Sequence, residues 1–105
     1  MTDELPRTVK EIRAWLLTEL TADVRKKRNI DDDDFKNILR CLHDLASWYW
    51  EQNIVLGHFL TYVVKNDFVR ASTQADSSNV KALDVFARFV YNRLPSDWRQ
   101  KGQAL

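Results

Sequence analysis

The sequence predicts an all-α protein, a single compact bundle of about five helices, three long and two short, forming one domain over residues 1–105. Three observations predict it. The only glycines are Gly57 and Gly102 and the only prolines are Pro6 and Pro95, so the interior nearly lacks residues that interrupt helices or build the tight turns of sheets. Apolar side chains recur at three- and four-residue spacing along most of the chain, the period of a helix buried on one side. A chain of 105 residues, 45% hydrophobic and 30% charged, can close one core and has no room for a second.

The first helix should begin near Thr8, because Thr8 and Glu11 have the spacing of a capping box, in which hydroxyl and carboxylate each satisfy a backbone N–H. Val9, Ile12, Leu16, Leu17, Leu20 and Val24 then fall in one arc, with Trp15 beside it as a candidate for a second contact. The helix should finish in Arg25, Lys26, Lys27 and Arg28, where cations meet unsatisfied carbonyls and the negative end of the helix dipole. Asn29 and Ile30 make a short turn. Asp31 is a good N-cap for a second helix, and Asp32, Asp33 and Asp34 fill its first turn, where carboxylates meet free N–H groups.

That second helix, about residues 32–51, carries Phe35, Ile38, Leu39, Leu42, Leu45, Ala46 and Tyr49 on a broad face and is the expected centre of the core. Trp48 and Trp50 flank the Tyr49 direction, either as core-edge rings or as part of a binding surface. Residues 52–56 read as a connection. A short helix over 57–66 and another over 67–74 follow, the latter capped by Asp67 and burying Phe68 and Ala71. Ser77 or Ser78 should cap a last long helix running to Leu94, because Pro95 disfavours helix at the residue before it. Val80, Leu83, Ala87, Val90, Tyr91 and Leu94 make one face of it, and Ala82, Val85 and Phe89 a second, so the helix is either sandwiched within the monomer or lends Val85 and Phe89 to another molecule. Trp98 should fold back after the turn, leaving residues 1–6 and 99–105 as frayed termini.

The run from Arg25 to Asp34 also invites a metal or nucleic-acid reading. An EF-hand loop needs Gly at its sixth position and Glu at its twelfth; counted from Asp31 those positions are Lys36 and Leu42, and from Asp33 they are Ile38 and Asp44. Residues 1–52 carry a net charge of −2 and residues 53–105 a net +3, too mild a polarity for a protein held by a phosphate backbone. Cys41 and His43 diverge around a helix and cannot form a nucleophile–base pair, His43 and His58 lack the spacing of a zinc set, and the two glycines are too far apart for a phosphate cradle. These patterns predict no catalytic residue, no metal and no cofactor. A single cysteine, no signal-like start and no apolar run of about 20 residues predict a cytoplasmic protein with no membrane span.

Residues 57–98 resemble a group of small bacteriophage and prophage accessory proteins. The shared elements are Gly57-His58-Phe59-Leu60, Asn66-Asp67, Ala75-Asp76-Ser77-Ser78-Asn79 and Tyr91-Asn92-Arg93-Leu94-Pro95. They are helix boundaries and core aromatics, so the resemblance implies a fold and a genomic setting but no chemistry; it points to a protein that grips a host protein in the host cytoplasm. The function expected is therefore a non-enzymatic helical protein-interaction module, a phage-encoded modulator of a host complex, binding a host or phage protein through Trp15, Trp48, Trp50, Val85 and Phe89. Two alternatives stand beside it: a nucleic-acid-binding regulator using Arg25–Arg28, and a self-assembling phage part whose Val85 and Phe89 pair across the two-fold axis of a homodimer.

Overall fold

The structure, a computed structural model, describes residues 5–52 and 54–105. Among them are seven α-helices and one 3-10 helix: α1 Val9–Glu19, α2 Ala22–Arg28, α3 Asp32–Trp50, α4 His58–Val64, α5 Phe68–Gln74, the 3-10 turn Asn79–Ala82, α6 Leu83–Arg93 and α7 Trp98–Gln103. The all-α expectation holds, with more and shorter helices than the five foreseen. The molecule is a slab of 38 × 37 × 20 Å, about two helix layers thick. α3 lies at its centre, packed on α1 and on the 3-10 turn, while α4 gathers α5, α6 and α7 around it.

The helix starts are local decisions and follow the residues at the caps. The Thr8 hydroxyl accepts from the Glu11 N–H at 3.2 Å while Glu11 accepts from the Thr8 N–H at 3.1 Å, closing the expected capping box. A second, built from carboxylates alone, opens α3: Asp31 accepts from the Asp34 N–H at 2.7 Å and Asp34 from the Asp31 N–H at 3.1 Å. Asp67 caps α5 by accepting from the Arg70 N–H at 3.1 Å.

The first helix does not run unbroken to Arg28. It stops at Glu19, and Thr21 opens α2 by accepting from the Val24 N–H. Thr21 followed by Asp23 is itself a helix-start signal, and it lets the chain turn while Leu20 stays fully buried. α2 then ends on Asn29 in the left-handed conformation, φ 57°, with Asn29 N–H bonded to the Lys26 carbonyl and Ile30 N–H to the Arg25 carbonyl. This is a Schellman motif made with asparagine, which tolerates that conformation better than other side chains except glycine. Asn66 ends α4 in the same way, its N–H on the Val63 carbonyl and the Asp67 N–H on the Tyr62 carbonyl.

Two further expectations are corrected at the C-terminal end. Neither Ser77 nor Ser78 caps α6: Asp76 instead accepts from the N–H groups of Ser78 at 3.1 Å and Asn79 at 2.8 Å, and a 3-10 turn precedes the α-helix. Residues 99–105 are not frayed, since 98–103 form α7, with Trp98 buried and Gln103 donating to the Lys65 carbonyl at 3.0 Å. At the other end Pro6 is buried, and residues 1–4 lie outside the described residues.

Candidate functional site

The sequence offered two sets of candidate residues, the aromatic and apolar anchors and the charged joint, and the structure treats them differently. Val85 and Phe89 are fully buried, so neither forms a partner surface or a two-fold helix pair. α6 is the sandwiched helix: Val85, Phe86, Phe89 and Val90 form one continuous buried stripe, while Val80 and Tyr91, expected in the core, are 48% and 45% exposed. Trp15 meets its second contact inside the molecule, edge-on to Phe89 with ring centroids 5.3 Å apart. Trp50 is half-buried beneath the Arg7 guanidinium, which lies 3.6 Å from its ring centroid. Most of the apolar surplus read from the sequence is thus absorbed by the fold.

The charged joint becomes a network that ties helices together. Arg28 makes a bidentate pair with Asp84, at 2.7 and 2.9 Å, and also donates to the Lys81 carbonyl at 3.2 Å. Arg88 reaches the same Asp84 at 2.8 Å and forms a short contact with Glu19, so α1, α2 and α6 share one ionic cluster. Beside it the Asp34 carboxylate accepts from the Ser78 hydroxyl at 2.7 Å and from Lys81 Nζ at 2.9 Å, fastening α3 to the 3-10 turn. The hydrogen bond from Ser78 and then that from Lys81 hold the Asp34 carboxyl at about 2, and Arg28 and Arg88 hold Asp84 there too. Arg25 lies over the Phe35 ring at 5.4 Å, leaving Lys26 and Lys27 as the exposed cations of the run, and Asp31, Asp32 and Asp33 are exposed as well.

Cys41 is buried, and desolvation pushes its thiol above the ordinary value, the reverse of what a nucleophile needs. The Tyr49 hydroxyl donates to Asp97 in a short hydrogen bond, and burial followed by that carboxylate raises Tyr49 to about 12. No group of three or more metal-ligating side chains converges among the described residues. No helix there is long and apolar enough to cross a membrane.

One of the surface grooves is mostly apolar. Open and about 550 Å³ in volume, it runs between the end of α3, the 54–57 connection, α4 and the end of α7. Trp48 and Ile54 line it along with Leu56 and Ala104; Val55, 95% exposed, and Leu105, 53% exposed, belong to the same lining. Its polar side chains are Gln52, Thr61 and Lys101. Of the aromatic anchors expected from the sequence, Trp48 is the one placed here. Val55 has no signal in the sequence, because a single valine in a connection carries no period. Comparison of the chain with protein-family models, with curated proteins and with solved structures finds no match.

Proposed function

We propose that the chain is a non-enzymatic protein-interaction module that binds another protein through the groove lined by Trp48, Ile54, Val55, Leu56 and Leu105. The observation that carries this reading is the coincidence of a mostly apolar groove of about 550 Å³ with a valine that is 95% exposed in its lining. An apolar side chain held fully in water contributes nothing to folding, whereas the same side chain covered by a partner stabilises the complex by about 25 cal/mol per Å² buried. The exposed aliphatic side chains Val55 and Leu105 stand beside the buried Trp48, and Gln52, Thr61 and Lys101 supply polar groups around them, the apolar centre and polar surround of an interface. The resemblance of residues 57–98 to phage accessory proteins directs the search for the partner to a host protein complex.

A photo-cross-linking amino acid placed at position 55 in the expressing cell tests this. A discrete adduct from position 55, absent when the cross-linker replaces exposed Ala14 on α1, is the expected result. Equal or absent labelling from the two positions overturns the proposal.

A further inference from the structure

Resting on that reading of the groove, we infer that the segment seated in it is an amphipathic helix of the partner protein whose apolar stripe is flanked by an Asp or Glu carboxylate that pairs with Lys101. Two independent features of the groove select this occupant.

The first is backbone satisfaction. An extended peptide brings N–H and C=O groups that need partners, and the common solution is to add it to the edge of a sheet. The described residues contain no strand. The groove's polar side chains are few, and the Thr61 hydroxyl is already engaged, donating to the Leu56 carbonyl at 3.3 Å. A helix satisfies its own backbone and asks of the groove only apolar cover for residues at i, i+3, i+4 and i+7.

The second is charge. Lys101 is the one charged side chain lining the groove, and no Asp or Glu side chain lines it among the described residues. Three cations of the charged joint and α6 do reach carboxylates: Arg28 meets Asp84, Lys81 meets Asp34, and Arg88 meets Glu19 and Asp84. Lys101 has no carboxylate partner among the described residues, and its ammonium rests 5.1 Å from the Tyr49 ring centroid. A cation left over at an apolar rim gains from a partner carboxylate and repels a partner cation, so it discriminates in both directions.

The experiment uses the full chain as bait for a displayed library of short amphipathic helices. The stripe is drawn from Leu, Ile and Phe, and each flanking position from Glu, Gln and Lys. Enriched sequences should carry Glu at one flanking register. Their affinity should fall by about tenfold or more in Lys101→Glu and return when that Glu is changed to Lys. Lys101→Met, which keeps the apolar stem over Tyr49, should lose the Glu preference without changing the thermal midpoint. Flanking positions that stay unselected, in binders that Val55→Glu abolishes, would overturn the acidic-helix inference and leave the groove standing. If no library member binds the wild-type chain better than Val55→Glu, the inference and the proposed function fall together.

Discussion

Asp34 shows how much work one side chain of an apparently uniform run can do. Four consecutive aspartates share the N-terminus of α3, and helix-dipole reasoning treats them alike. Asp34 alone is buried; its two oxygens serve the capping box, Ser78 and Lys81 at once. Gly102 is the opposite case, defined by what it lacks. A Cβ there would lie 1.9 Å from the Val64 carbonyl oxygen, because α7 packs its backbone directly on α4. Gly102→Ala should therefore destabilise the fold by about 1–3 kcal/mol through overpacking, read as a lower urea midpoint. At this scale the caps were legible in the sequence, since Thr8 with Glu11 and Asp31 with its own first turn act over three residues. The roles of Asp34 and Gly102 were not, because their partners lie 44 and 38 positions away.

Among the elements, the phase of α6 is the instructive one. Reading a face back from Leu94 to Val80 at about 100° per residue assumes one continuous α-helix. Residues 79–82 instead form a 3-10 turn, which advances about 120° per residue, so Val80 falls out of register with α6, in which Val85, Phe86, Phe89 and Val90 take the core. Phe89→Ala should accordingly cost about 3–5 kcal/mol of unfolding free energy by denaturant titration, the penalty of a cavity facing Trp15; a variant of full stability would contradict the packing. The elements are also joined by two carboxylates, Asp34 and Asp84, each held at about 2. A carboxyl whose folded value lies below its unfolded value of about 4 adds stability above that unfolded value and loses it as pH falls through the folded one. The thermal midpoint should thus drop between roughly pH 4 and pH 2, and Asp34→Asn/Asp84→Asn should start lower at neutral pH and show a shallower acid dependence.

For the whole molecule, burial of Val85 and Phe89 removes two expected anchors, and of the large apolar side chains left exposed Val9, Val69, Val80 and Tyr91 lie elsewhere while Val55 and Leu105 lie at the groove beside α7. Val55→Glu separates folding from binding there. With Val55 already in water, the substitution should change unfolding free energy by no more than about 0.5 kcal/mol while removing partner cross-linking. A large loss of stability would show that Val55 supports the fold and would leave the groove without its best anchor.

By itself the sequence determined that this chain is all-helical, that α3 is its central element, and where most helices begin. Those properties depend on periodicity, on scarce glycine and proline, and on caps that act within one turn. Only the tertiary structure decided that Trp15 and Phe89 face each other rather than a partner, that Arg28 and Asp34 fasten helices instead of lying in solvent, and that the C-terminal residues order as α7 against α4. Each of these joins residues far apart in the chain. A local pattern reports which side of an element is apolar, but which surface meets it follows from how the loops return the chain, and that is a property of the whole fold.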